Sequence, residues 1–253
     1  MWQNDPPLER WEDVAYGELY ERAHLLDVLQ PRHHERPLPV TIHFHGGAWR
    51  MFGKYLQDCE FMAEAGFCAI SANYRYAQEA LFPAQLEDAK AVLNWVRAHA
   101  EQYGWDAERI GVWGISAGGH LAALLGVRGF EHGVKATACV CAHTDLTRAG
   151  DWVLAYQGQG FAELLGAHAA EQPERALRAS PTRQISRPSP FLLIHGDEDS
   201  EVPLEQSCVL HQALQQAGAS SCLQVIPGGN HFINESHRSE VQAALLAFFR
   251  MQL

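Results

Sequence analysis

Gly111-Val-Trp-Gly-Ile-Ser116-Ala-Gly-Gly119 joins a short apolar run to the opening of an apolar helix. Upstream, Arg109-Ile-Gly-Val-Trp113 reads as a buried strand; downstream, His120-Leu-Ala-Ala-Leu-Leu125 reads as the first turns of a helix. Between them Gly114-Ile-Ser116-Ala-Gly118 fits G-x-S-x-G, the pattern of a serine on a tight strand-to-helix turn. Glycines two residues before and two after the serine leave room where backbones crowd together. The N-terminus of the following helix points unpaired N–H groups and its positive dipole end at the serine. Ser116 is therefore a candidate nucleophile.

The chain around this stretch is long enough, at 253 residues, for one full hydrophobic core. Its apolar share of 47% and charged share of 19% are those of a globular protein. A net charge of −11 argues against a nucleic-acid footprint and against an anionic membrane surface as partner. No apolar run approaches the length of a spanning helix, and Met1-Trp-Gln-Asn-Asp-Pro-Pro lacks the order of a signal peptide. The six cysteines show no paired or metal-type spacing. They read as reduced core residues, which with the absent signal gives a cytoplasmic expectation.

Outward from Ser116, strands and helices alternate. Leu25 to Leu29 reads as a strand of an early hairpin beside the Pro/His/Arg-rich turn Gln30 to Pro39, and Val40 to Phe44 as the next strand. A helix from Tyr55 stops at Gly66, a strand spans Phe67 to Tyr74, and Pro83 opens a long helix to Tyr103. Lys135 to Cys141, Phe191 to His195 and Cys222 to Ile226 follow as strands, with helices at Leu204 to Ala217 and Ser239 to Phe249. This rhythm predicts an α/β fold, a mostly parallel twisted sheet with helices on both faces. Residues 1–253 form one domain in this reading, and 144–190, where the rhythm breaks, form a small helical lid inserted between strands.

A serine nucleophile needs a base, a group to orient it, and oxyanion donors. In an open parallel sheet these come from loops at the carboxyl ends of strands. Phe191 to His195 runs into Gly196-Asp-Glu-Asp199-Ser-Glu-Val-Pro203, which offers Asp199 as the acid, with Asp197 second. His231 follows the last strand through Pro227-Gly-Gly-Asn and is the candidate base, with His237 as the fallback. His120, behind Ser116, reads as a satisfied buried histidine. His45-Gly-Gly47-Ala48-Trp49 follows a strand upstream and supplies backbone N–H groups of Gly47 and Ala48, joined by Ala117.

These motifs together, with Asn73-Tyr-Arg75, resemble the esterase/lipase group of α/β-hydrolases, near the hormone-sensitive-lipase-like enzymes and bacterial feruloyl and acetylxylan esterases. The resemblance spans about positions 40 to 235. It implies a serine carboxylesterase acting on small to medium esters through an acyl-enzyme, with Ser116, His231 and Asp199 as triad and no metal or organic cofactor. Its partner would be a small-molecule ester, with a homodimer as a further possibility. Ala48 stands where lipases place a third glycine, and the same His-Gly-Gly-x-Trp form occurs in kynurenine-formamidase-like enzymes. An amide hydrolase or small peptidase is therefore the rival, and an inactive binding protein the remote one. Trp49, Tyr76 and Trp152 are the candidates for substrate contact, with Tyr156 and Phe161 as further aromatic residues of the insertion.

Overall fold

The computed structural model describes residues 7–17, 21–148 and 155–253. Eight strands form its frame: β1 (Leu8–Ala15), β2 (Leu25–Pro31), β3 (Leu38–Phe44), β4 (Cys68–Ala72), β5 (Trp105–Ile115), β6 (Ala136–Val140), β7 (Phe191–Gly196) and β8 (Ser221–Ile226). They lie side by side in the order β1-β2-β4-β3-β5-β6-β7-β8. β2 runs antiparallel to both β1 and β4, and every other neighbouring pair is parallel. β4, β6 and β7 are buried at every position, as strands covered on both faces must be.

The helices are α1 (Glu60–Glu64), α2 (Ala84–Tyr103), α3 (Ala117–Gly126), α4 (Gly129–His132), α5 (Ala155–Leu165), α6 (Pro173–Arg178), α7 (Glu205–Gln216), α8 (Ile233–Ser236) and α9 (Arg238–Gln252). Ala89, Leu93 and Val96 of α2 pack with α3 and with Leu210 and Leu214 of α7 on one face of the sheet. Met62 and Ala63 of α1 pack with Val241, Leu245 and Phe249 of α9 on the other. Gly104, at φ +73, ends α2 in the left-handed conformation that suits glycine. Among the described residues, no helix is long and apolar enough to cross a membrane.

Two expectations need correction. The turn at Gln30 to Pro39 does not close a hairpin between β2 and β3, because β4 lies between them. Val40 to Phe44 is buried throughout and takes a central place between two parallel neighbours. The antiparallel partner that makes the early hairpin is β1, whose sequence LERWEDVA carries the charge of an edge strand. The cysteines are also not uniformly core residues. Cys59, Cys68, Cys139 and Cys141 are buried, whereas Cys208 on α7 and Cys222 on the edge strand β8 are exposed. Between β6 and β7 the described part of 144–190 holds α5, α6 and short 3-10 turns at Leu146–Arg148 and Pro181–Arg183.

Candidate active site

β5 delivers Ser116 directly into α3, with the serine at φ 55, ψ −117. A residue with a Cβ rarely holds a positive φ unless its surroundings impose it. Here they do. The Ser116 N–H donates to Val140 O at 2.8 Å, and its carbonyl accepts from His120 N at 2.9 Å. On the flanking glycines, a Cβ at Gly114 would stand 2.4 Å from the Gly118 carbonyl carbon, and one at Gly118 only 1.9 Å from Phe44 O. The close approach of α3 to the end of β3 therefore depends on both glycines.

β3 ends in the turn Gly46–Trp49, held by Asn73-Tyr74-Arg75 after β4. Tyr74 stacks on His45 at 4.4 Å and donates its hydroxyl to the His45 carbonyl at 2.8 Å. Asn73 Oδ1 accepts from Lys54 N at 2.7 Å. Arg75 clamps Asp88 of α2 through Nε and Nη2. Gly47 (φ +104), Ala48 (φ +49) and Trp49 (φ +58) turn left-handed in succession. The Gly47 carbonyl accepts from Arg50 and Met51, while the N–H groups of Gly47, Ala48 and Ala117 donate to none of the described residues. Unpaired amides so close to a buried serine are a ready acceptor site for negative charge.

The acid and base meet at the ends of β7 and β8. His231 Nδ1 donates to Asp199 Oδ2 at 2.8 Å. Asp199 Oδ1 accepts from Glu201 N and Val202 N at 2.9 and 2.8 Å. Its second oxygen also faces His195 Nε2 at 3.3 Å. His195 is fully buried, its Nε2 donating to Val202 O at 2.8 Å and its Nδ1 accepting from Ser207 Oγ at 2.7 Å. Burial would raise the Asp199 carboxyl, but hydrogen bonds from His195 and His231 outweigh it and hold the group well below the usual carboxylate range. Asp197 lies outside this network, exposed, accepting from Gly228 N at 2.7 Å. Among the described residues the His237 ring bonds only to its neighbour Ser236.

Ser116, Gly46, Gly47, Ala48 and His231 line one cavity of about 620 Å³. The Ser116 hydroxyl makes no hydrogen bond among the described residues; Glu201 Oε2 is 3.9 Å from His231 Nε2. Catalytic contacts of this kind commonly tighten when substrate binds. The segment Phe52–Asp58 and α8 supply one side of its lining. His43, Phe52, Asp58, Phe232, Asn234 and Glu235 line that side, and none of them is a candidate by sequence motif. Motif matching reaches loops at strand ends, whereas these residues converge from segments with no signature of their own. His43 and His45 are neutral, burial pushing each down to about 3.

The aromatic candidates fall elsewhere. Trp49 is fully buried and does not line the cavity. The left-handed turn carries its ring back into the core, against His120, His143 and Phe161. Its Nε1 donates to His120 Nδ1 at 3.1 Å, and His120 Nε2 donates to Ala179 O at 2.7 Å, so His120 is buried and satisfied. Phe161 is likewise a core contact. Tyr76 stands outside the cavity under the Arg22 guanidinium, its hydroxyl bonded to the Phe52 carbonyl. Trp152 lies outside the described residues, as does the side chain of Tyr156.

A BD-FAE family model matches residues 26–214, three quarters of the chain. The chain belongs to the BD-FAE family. Two curated relatives come from Mycobacterium tuberculosis (strain ATCC 25618 / H37Rv). "Probable carboxylic ester hydrolase LipM" is 34% identical over 222 residues, which cover 77% of this BD-FAE chain and 49% of LipM. "Esterase LipQ" is 33% identical over 242 residues, 87% of this chain and 56% of LipQ. The chain thus spans about half the length of these relatives. Among solved structures, a "Truncated form of carbohydrate esterase from gut microbiota" superposes with a TM-score of 0.88 at 28% identity, covering 99% of this chain and 98% of that one. The fold is that of the α/β-hydrolases.

Proposed function

We propose that this BD-FAE member is a serine carboxylesterase that hydrolyses small to medium carboxylic esters through an acyl-enzyme. One arrangement carries the reading: a serine on a left-handed elbow shares a cavity with an imidazole bound to a buried carboxylate, beside unpaired amides. Ser116 attacks the ester carbonyl. Nδ1 of His231 is committed to Asp199 at 2.8 Å, which leaves Nε2 to take the serine proton and return it to the leaving alcohol. Gly47, Ala48 and Ala117 receive the developing oxyanion, each donor being worth about 3 kcal/mol of barrier. Water then repeats the sequence on the acyl-enzyme.

The esterase names of LipM and LipQ favour ester over amide hydrolysis. A carbohydrate ester is one substrate class in keeping with the structural neighbour. Ser116→Ala is expected to abolish hydrolysis of p-nitrophenyl acetate and leave the thermal midpoint near that of the parent. Turnover surviving in that variant would overturn the assignment.

A further inference from the structure

Cys141 follows β6 directly, and its backbone sits at φ +47, an uncommon position for a residue with a Cβ. Its N–H donates to Ile194 O at 2.9 Å, which fixes the turn. The turn aims the thiol at the acid and base: Sγ, an Asp199 oxygen and a His231 nitrogen lie within 4.8 Å of one another. Burial and the neighbouring Asp199 carboxylate push the thiol well up, so without a metal it stands as a neutral S–H beside the carboxylate. Ester hydrolysis asks nothing of a thiol at this place. Sulfur, imidazole nitrogen and carboxylate oxygen are, however, the donor set of a borderline-soft divalent cation.

We propose that Cys141, Asp199 and His231 form an inhibitory site for a divalent cation of the Zn²⁺ class. Bonds of about 2.3 Å to sulfur and about 2.0–2.2 Å to nitrogen and oxygen set donor atoms roughly 3.3–3.7 Å apart around a tetrahedral ion. The observed cluster brackets that spacing, from the 2.8 Å hydrogen bond between His231 and Asp199 to the 4.8 Å limit of the group. Shifts on the order of 1 Å close it. A thiolate and a carboxylate offset the two positive charges, so the buried assembly is neutral.

The Cys141 S–H bond breaks, its proton leaves to solvent, and the sulfur pair binds the metal. Nδ1, the His231 nitrogen that faces Asp199, gives its lone pair to the metal, and its proton moves to Nε2. An Nε2 that carries a proton cannot accept one from Ser116. Metal binding therefore stops hydrolysis by removing the base.

The test uses ZnCl₂ and CoCl₂ on the purified chain in chelator-free buffer, in a Cys208→Ser/Cys222→Ser background that removes the exposed thiols. Zn²⁺ should inhibit p-nitrophenyl acetate hydrolysis, EDTA should restore it, and Mg²⁺ should do nothing, since it prefers oxygen ligands. Losing even an outer partner of a metal ligand costs roughly 10–100-fold in affinity, so Cys141→Ala should raise the half-inhibiting Zn²⁺ concentration at least about tenfold. Each variant is compared with its own metal-free rate. Co²⁺ should give a near-ultraviolet thiolate-to-metal band that disappears in Cys141→Ala. Should the alanine variant not fold, Cys141→Gly, which suits the left-handed backbone, carries the same comparison. Equal Zn²⁺ sensitivity without the thiol, equal inhibition by Mg²⁺, or no thiolate band would overturn the site. Only the inhibition arm rests on His231 and Asp199 being the working pair. The Co²⁺ band is read equally well in Ser116→Ala, so failure of the site and failure of the esterase reading stay distinguishable.

Discussion

Gly118→Ala is the perturbation whose cost the geometry defines most directly. The new Cβ would stand 1.9 Å from the Phe44 carbonyl oxygen and 2.5 Å from that of His45. Both are backbone atoms at the end of β3, so no side chain can rotate out of the way. Ordinary contact begins near 3.4 Å, and the helix and strand must part by about 1.5 Å to reach it, an overpacking that costs about 1–3 kcal/mol of stability. Ser116 rides on the α3 side of that gap, and Gly47 and Ala48 ride on the β3 side. The movement that relieves the clash therefore pulls the nucleophile away from its amides. Misplacement by about 1 Å costs on the order of 10²-fold in rate, and losing one oxyanion donor about 10²–10³-fold. We expect kcat for p-nitrophenyl acetate to fall by about 10²–10³-fold, measured against active sites titrated with a fluorophosphonate, with a lowered thermal midpoint. Gly218→Ala is the comparison: its φ of +74 strains an alanine, but nothing lies within 4 Å of the added carbon. That variant should lose about 1 kcal/mol of stability and no kcat. A folded Gly118→Ala enzyme with kcat within about threefold of the parent, ~0.7 kcal/mol of barrier, would refute the reasoning.

Asp199→Asn should lower kcat/KM by about 10⁴-fold, because an amide no longer fixes the His231 tautomer, whereas Asp197→Asn should change it little; comparable losses would mean the acid is wrongly chosen. Stability should fall on mild acidification. The folded chain keeps His43 and His45 neutral down to about 3 and His120 down to about 4, while the unfolded chain takes up those protons from the usual imidazole value of about 6.5 downward. Each such proton tilts the balance toward unfolding by about 1.4 kcal/mol per pH unit across that window. A urea midpoint unchanged between pH 7.5 and 5.0 would contradict it. Asp199 acts in a different window: its contribution is complete above the ordinary carboxylate value and is lost only as pH falls through its own lowered one. Removing that carboxylate should therefore leave the slope between pH 7.5 and 5.0 unchanged.

What could be read without the structure follows a physical divide. The central strands announce themselves because burial on both faces demands uninterrupted apolar residues, as in Phe191-Leu-Leu-Ile. The elbow, the acid loop, the histidine loop and the Gly-Gly turn were legible because tight turns at strand ends restrict residue type. β1 was not, since an edge strand with exposed charges has no periodic apolar face. The place of Trp49 is hidden for another reason: adjacency in sequence says nothing of direction, and three successive left-handed residues reverse it. The cavity wall of His43, Asp58, Asn234 and Glu235 assembles only when segments distant in sequence converge, and Cys141 joins the acid and base only through its left-handed turn.

The bonded chain from Trp49 through His120 to the Ala179 carbonyl gives the segment between β6 and β7 a part in holding the Gly47–Ala48 turn. Phe161 presses on the Trp49 ring from that segment, and Ala179 fixes which nitrogen of His120 carries the proton, so that the other can receive the indole N–H. The segment thus works as the keystone of an arch whose far foot is the Gly47–Ala48 turn. Its two points of contact, at Phe161 and Ala179, tie it to that turn. An engineer who cut the whole segment away to admit larger esters would release the amides from the serine they face.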